Sequence, residues 1–227
     1  MHLLDTAARE AIVAHYAQRR HRLYARWKLK TDPVYAATAA LLRDSALPLL
    51  DIGCGIGLLG QYLHASGARV RYAGVDHDGF KIDTAQAAAR HAGLERELDL
   101  RCADAATLPP VSGHVVLLDI LHYLPADRHR ALLQVATGHL APDGLLVIRN
   151  VLREANWRFH ATRVEEFFLR YSGWIPGGAQ HYPSADELRE PLEAAGLAVH
   201  IAPLRGRTPF NSYLLVARHR APDSETP

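Results

Sequence analysis

From Leu47 onward, short apolar runs alternate with longer amphipathic stretches. Leu47 to Ile52, Val70 to Val75, Leu98 to Cys102, Val115 to Ile120 and Leu145 to Arg149 read as strands, and Leu58 to Ala65, Phe80 to His91 (closed by Gly93) and Ala126 to Leu140 read as helices. Because parallel neighbours need a crossover, this alternation predicts a mostly parallel sheet with helices on its faces. Ser184, with Glu187 three residues on, forms a capping box opening a helix that ends at Gly196. Two further runs, Ala198 to Ala202 and Ser212 to Arg218, lie too close together for a crossover and should pair as an antiparallel hairpin.

Ahead of the alternation, residues 1 to about 30 read as one helix with Ile12, Tyr16, Leu23 and Trp27 on a single stripe, and Val34 to Arg43 as a second helix after Pro33. Residues 1–46 are therefore expected to form a helical cap and 47–220 the α/β domain; the polar tail 221–227 is expected to be disordered. Residues 151–183 interrupt the pattern with Trp157, Phe159, Phe167, Phe168, Tyr171, Trp174 and Tyr182. Such a helical insert would suit a lid over an aromatic substrate, or an interface, so monomer and homodimer both stay open.

With 227 residues, 48% hydrophobic and 22% charged, the chain suits one large globular domain. Cys54 and Cys102, with no CxxC or HxxxH spacing, predict neither a disulfide scaffold nor a metal site and fit a reducing cytoplasm. The first ten residues lack signal-peptide character, and no apolar run approaches the ~20 residues of a membrane span. A net charge of +2 does not demand nucleic acid. It conceals six basic residues and no acid between Arg19 and Lys30, either a solvated helix face or a seat for an acidic partner.

The richest stretch is LLDIGCGIGLLG, residues 49–60, where a strand runs through Gly53, Gly55 and Gly57 into a helix. Glycines there let the backbone turn sharply and approach a ligand. Gly55, Gly57 and Gly60 also fit the dinucleotide spacing, so a nicotinamide cofactor competes with S-adenosylmethionine. Asp51, two residues before Gly53, would repel a pyrophosphate and suits the cationic cofactor. Asp76 ends the next strand, where it could accept both ribose hydroxyls, and serves either cofactor. Asp104 ends the strand after that, where it could receive an adenine amino group.

Through DIGCGIG, GVD, CAD, LLDILHYLP and APDGLLVIRN, residues 47 to 218 resemble the class I S-adenosylmethionine-dependent methyltransferases. The resemblance implies a Rossmann-like three-layer sandwich whose seven-stranded sheet has its last strand inserted antiparallel. It implies that Gly53, Cys54, Gly55 and Gly57 surround the methionine part, Asp76 with neighbouring His77 the ribose, and Asp104 with Ala105 the adenine. It also sets Asp119 and Ile120 near the methionine end and His122 and Tyr123 on the substrate side. Asp119-Ile-Leu-His-Tyr differs from the sequences of adenine-N6 and C5-cytosine enzymes. A looser likeness, over HYAQRRHRLYARWKLKTDPVY and TPFNSYLLVAR, is to methyltransferases of bacterial aryl polyene and xanthomonadin-type pigment synthesis. That likeness implies a phenolic acceptor on an acyl carrier protein.

Methyl transfer relies on positioning, with a base needed only where the acceptor must lose a proton, and His122 is the candidate base. Tyr24, Trp27, Arg149, Asn150, Trp174, His181 and Tyr182 are the candidate substrate contacts, while Arg153 reads equally as a packing arginine. Tyr24 and Lys28 imitate a dehydrogenase YxxxK pair but precede the glycine loop, which makes the match a coincidence. A non-catalytic cofactor-binding subunit, and RNA or protein as acceptor, remain competing readings.

Overall fold

The computed structural model describes residues 4–104, 107–154, 157–159, 178–206 and 211–220. Three helices come first: α1 (Thr6–Ala14), α2 (Arg19–Thr31) and α3 (Val34–Leu42). The alternation follows as β1 (Leu49–Ile52), α4 (Leu58–Ala65), β2 (Tyr72–Asp76), α5 (Gly79–His91), β3 (Leu98–Cys102), β4 (His114–Leu118), α6 (Ala126–Gly138) and β5 (Leu146–Val151). A last helix, α7 (Ala185–Ala194), precedes the hairpin of β6 (Leu197–Pro203) and β7 (Ser212–His219).

These strands make one seven-stranded sheet in the order β3-β2-β1-β4-β5-β7-β6. β1 to β5 run parallel, and β7 lies antiparallel between β5 and β6, the Rossmann-like arrangement expected. The central strands β1 and β5 are buried on both faces, whereas edge strand β3 alternates inside and outside, and the former are apolar but for Asp51, Arg149 and Asn150. Two cores flank the sheet. On one face α1 to α5 pack Ile12, Tyr16, Leu42, Leu63 and Ala85; on the other α6 and α7 pack Leu133, Ala136, Leu188 and Leu192.

Local signals behaved as their chemistry requires. Asp78 Oδ1 accepts from the amides of Phe80 (3.0 Å) and Lys81 (3.3 Å) and opens α5. The Ser184–Glu187 capping box closes in both directions, at 2.9 and 3.2 Å. Leu58–Ala65 and Leu98–Cys102 fall where the sequence places them.

One expectation fails: the single helix through residue 30 is two helices. α1 ends at its C-cap His15, Arg22 Nη1 donates to the carbonyls of Tyr16 (3.1 Å) and Ala17 in the link that follows, and Gln18 takes an extended conformation before α2. The break resets the helical phase. His21, Ala25 and Leu29 face inward, while Leu23 and Trp27, set on the buried stripe by the sequence reading, are 53% and 42% exposed. The expected tail 221–227 and most of the aromatic insert, including Phe167, Phe168, Tyr171 and Trp174, lie outside the described residues.

Candidate functional site

The carboxyl ends of β1, β2, β4 and β5 converge on one edge of the sheet. At β1, the amides of Gly53 and Cys54 donate to Val75 O at 2.8 and 2.9 Å, folding the loop back over β2. Gly53, Gly55 and Gly57 hold φ of +82°, +57° and +73°, a region that side chains resist. Gly53 is also packed too tightly for a side chain, since a Cβ there would lie 2.3 Å from Ile120 Cγ2, and one on Gly57 would crowd Ala85 Cβ at 3.1 Å. A Cβ on Gly55 would meet nothing within 4 Å. The loop thus presents bare backbone to open space.

Two carboxylates sit under this loop. Asp76 Oδ2 accepts from Gly55 N and Oδ1 from Asp78 N, both at 2.9 Å, which orients the carboxyl group at the strand end. Each oxygen keeps lone-pair capacity for a further donor. Asp51 is buried in β1, where Oδ2 accepts from the Tyr72 hydroxyl and Oδ1 has no partner. Burial, opposed by the Tyr72 bond, pushes its pKa up to about 7. An orphaned buried carboxylate oxygen, an oriented ribose-type acid and an open glycine cradle together fit a cationic nucleoside cofactor. Cys54 is buried beside them with its thiol pushed well up by burial. The His77 side chain is almost fully exposed, its Nδ1 3.5 Å from Asp76 Oδ1. Asp104 is exposed, and Ala105 lies outside the described residues.

Beyond β4 the chain enters a short 3-10 turn, Leu121–Tyr123. His122 is buried there, and its Nδ1 is 2.8 Å from Asn150 Oδ1. Asn150 Nδ2 donates to Val151 O (2.8 Å), so its oxygen faces the ring and Nδ1 must carry the proton. Nε2 is then the basic nitrogen. Burial lowers the His122 pKa below its usual 6.5. Tyr182 stacks on the ring at 6.1 Å and 2°, Tyr123 lies tilted at 4.0 Å, and Phe159 meets Tyr182 edge-on at 5.1 Å. His129 holds the turn from α6, its Nε2 donating to Leu121 O (2.7 Å) and Leu124 O (3.2 Å). His181 is joined to Glu187 (2.9 Å) and sets its ring edge-on to His129 at 5.2 Å, while its backbone amide donates to His122 O.

Between these two halves lies a buried cluster of four charges. Lys28 Nζ is 3.1 Å from both Asp32 Oδ2 and Asp119 Oδ2. Arg149 bonds to Asp119 Oδ1, to Asp32 Oδ2 (3.2 Å) and to Ser212 Oγ (3.0 Å). Burial works to raise the Asp119 carboxyl, but Arg149 and Lys28 override it and hold it well below the carboxylate range. Tyr24, half-buried on the inner side of α2, feels the same charges, and burial raises its pKa. Arg149, expected to meet substrate, is engaged in this cluster. Trp27, expected to do the same, lies on the exposed face of α2. Arg153 pairs with Glu187 at 3.0 Å.

Sequence reasoning missed Lys28, Asp32 and His129. The i,i+4 spacing of Lys28 and Asp32 was a usable signal for the first two. Nothing local marks His129, whose partners are carbonyls of a turn that forms only in the fold.

Residues 49–144 match the family described as "Methyltransferase domain". A relative from Sinorhizobium fredii, a "Ubiquinone biosynthesis O-methyltransferase", is 31% identical over 160 residues, covering 67% of this chain and 60% of its own length. The chain thus spans about 60% of the length of the curated relatives it matches. Magnesium protoporphyrin IX methyltransferase from Synechocystis, crystallised with S-adenosylhomocysteine, superposes with a TM-score of 0.64 at 19% identity over 82% of each chain. The O-methyltransferase of neocarzinostatin biosynthesis, in complex with S-adenosylmethionine and 2-hydroxy-5-methyl naphthoic acid, gives 0.58 at 21% identity, covering 80% of this chain and 50% of that one. Among the described residues no helix could cross a membrane and no group of His, Cys, Asp and Glu could hold a metal. Residues 49–144 thus match a methyltransferase domain, set in a fold that the chain shares with solved methyltransferases, and the glycine loop with its acids fits a cationic nucleoside cofactor.

Proposed function

We propose that this protein transfers the methyl group of S-adenosylmethionine to the hydroxyl oxygen of a small aromatic acceptor, with His122 as general base. The observation that carries this reading is the His122–Asn150 bond, which leaves Nε2 as the basic nitrogen beside a stack of Tyr123, Tyr182 and Phe159. Relatives named as O-methyltransferases, and a structural neighbour holding a hydroxynaphthoic acid, support oxygen and an aromatic ring.

Gly53, Cys54, Gly55 and Gly57 would hold the methionine part, Asp76 the ribose and Asp104 the adenine. When bound, the cofactor supplies a methyl group on a positively charged sulfur. His122 takes the hydroxyl proton at Nε2 while Asn150 keeps Nδ1 protonated and the ring in place. The aromatic side chains exclude water and align the acceptor ring, so positioning provides much of the rate.

Incubating the protein with S-adenosylmethionine and a panel of phenols, catechols and hydroxynaphthoic acids tests this directly. Replacing the base, His122→Gln, should lower kcat by roughly 10²- to 10⁴-fold and leave S-adenosylhomocysteine affinity within about threefold. Because burial lowers its pKa, His122 is neutral at pH 7 and the acid limb of kcat/KM should lie below pH 6.5. A variant with unchanged kcat would remove His122 from the chemistry, and a wild type that fails to bind S-adenosylhomocysteine would sink the whole reading.

The finer assignment is an acceptor carried on an acyl carrier protein of aryl polyene synthesis, supported by the looser sequence likeness and the basic outer face of α2. That face is smaller than the sequence suggests: Lys28 points into the buried cluster, Arg22 bonds to the carbonyls of Tyr16 and Ala17, and Arg26 pairs with Glu10 at 2.7 Å. Arg19 and Lys30, with Arg20 bonded to Gln18 and lying over the Phe80 ring, would meet an acidic partner, and charge reversal at Arg19 and Lys30 should raise KM for a carrier-borne phenol without raising it for the free phenol.

A further inference from the structure

The turn that carries His122 is held by its carbonyls from two directions. From α6, His129 Nε2 donates to Leu121 O and Leu124 O; from the strap of residues 178–184, the amides of Gln180 (2.8 Å) and His181 (3.3 Å) donate to His122 O. Tyr182 lies in that strap, its ring within 2° of parallel to the His122 ring. The far end of the strap is fixed by Glu187, in the first turn of α7. Glu187 Oε2 accepts from His181 Nε2 and from Ser184 N, both at 2.9 Å, and Oε1 accepts from Arg153 Nη2 at 3.0 Å. A carboxylate only accepts, so His181 Nε2 carries a proton. The main chain adds a bond on the same side, from Arg153 N to Pro183 O at 2.9 Å. Glu187 thus joins three segments: the chain leaving β5, the strap and α7.

We propose that Glu187 is a positioning residue for the acceptor, a clasp that holds the strap so that Tyr182 stays against His122 and the acceptor ring is aligned with the base. This rests on the reading that His122 takes the proton of an aromatic hydroxyl. The helix cap alone does not require a carboxylate, because Gln serves a capping box equally. What Glu187 adds to the cap is a second anionic oxygen for Arg153 and a charged acceptor for His181. Both partners come from outside α7, and neither is needed to start it. These bonds are exposed, with the Glu187 side chain at 41% and that of Arg153 at 54%, so they contribute little to global stability. Their effect is local. His181, expected to meet substrate, turns its Nε2 to Glu187, and Tyr182 beside it is the strap side chain that faces the His122 ring.

Steady-state methylation of a hydroxynaphthoic acid by the full chain, at saturating S-adenosylmethionine, provides the test. Glu187→Gln should raise the acceptor KM by about three- to tenfold, the size of one aromatic contact. It should leave kcat and S-adenosylhomocysteine affinity within about twofold and move the melting temperature by less than about 2 °C. Tyr182→Leu should raise KM at least as much, and the double variant should be no worse than Tyr182→Leu, because Glu187 acts through that ring. In hydrogen exchange, the amides of Gln180 and His181 should quicken in Glu187→Gln while those of β4 and β5 do not. An unchanged KM in Glu187→Gln, or KM effects that add in the double variant, would overturn the clasp. So would a fall in S-adenosylhomocysteine affinity that matches the rise in KM, which marks a general structural role. Should Glu187→Gln fail to fold, Arg153→Met leaves the capping box whole and carries the same KM prediction. A wild type that binds S-adenosylhomocysteine yet methylates no phenolic acceptor removes the acceptor reading itself, an outcome distinct from failure of the clasp.

Discussion

The two halves of the sheet edge are built from different materials. At β1 and β2 the site is backbone: three left-handed glycines, a bare cradle at Gly55 and an Asp76 carboxyl oriented by two main-chain amides. At β4 and β5 it is side chain: a four-charge cluster, the His122–Asn150 pair and the His129 pin. The first half resists added atoms where Gly53 meets Ile120, and the second resists lost partners. A backbone site suits a ligand that is always the same, whereas a side-chain site can be retuned one residue at a time for a different acceptor.

That contrast breaks most sharply at Arg149. Arg149→Met leaves two buried carboxylates, Asp119 and Asp32, to share Lys28 alone, and breaking a buried ion network by removing one member costs about 3–5 kcal/mol. Urea denaturation would measure it; a loss below about 1 kcal/mol would mean that the cluster relaxes by admitting water. In the glycine half the largest effect belongs to Gly53→Ala, whose methyl collides with Ile120 in a left-handed backbone and should cost about 2–4 kcal/mol.

Asp51→Asn should act in the opposite direction. The folded-state pKa of Asp51, about 7, lies above its ordinary 3.8, so between these values the unfolded chain holds fewer protons and stability falls as pH rises. Removing the charge should therefore stabilise the protein at pH 7 by on the order of 1–3 kcal/mol, with the gain fading as pH approaches 4. Melting curves across that range check the sign. The smallest change in stability should come from Gly55→Ala, about 1 kcal/mol for the left-handed backbone alone. Its methyl faces open space where the cofactor would lie, so S-adenosylhomocysteine affinity should drop far more than stability. Loss of both in proportion would deny that this space is the binding cradle.

The difference between the halves also explains what could be read from the sequence. Glycines at fixed spacing and acids at strand ends are local signals, so the loop and Asp76 were legible from residues 49–76, and the parallel sheet from the alternation of strands and helices through Arg149. The hairpin of β6 and β7 followed from its short connection. His122 was legible as a candidate because it follows a strand end. Its partner Asn150 was legible only as a neighbour of the edge, since their pairing depends on β4 and β5 lying side by side. The N-terminal error has another cause. Ile12, Tyr16, Leu23 and Trp27 obey one helical period, and nothing between Tyr16 and Arg19 is a proline or glycine. The chain leaves the helix at His15, and the Tyr16 and Ala17 carbonyls of the link are taken by the Arg22 guanidinium, a contact that periodicity does not encode. Lys28 was displaced from view by the same error, having been counted with the outward charges.

The roof formed by α1 and α2 is fastened to the glycine loop and the sheet edge by a few side-chain bonds, whereas β1, β4 and β5 share a continuous main-chain ladder. In amide hydrogen exchange the molecule should therefore keep two clocks. Deuterium should enter the ladder only on global unfolding, and the roof through smaller, more frequent openings. Loss of the Lys28 bond to Asp119 would quicken the faster clock before it touched the slower one.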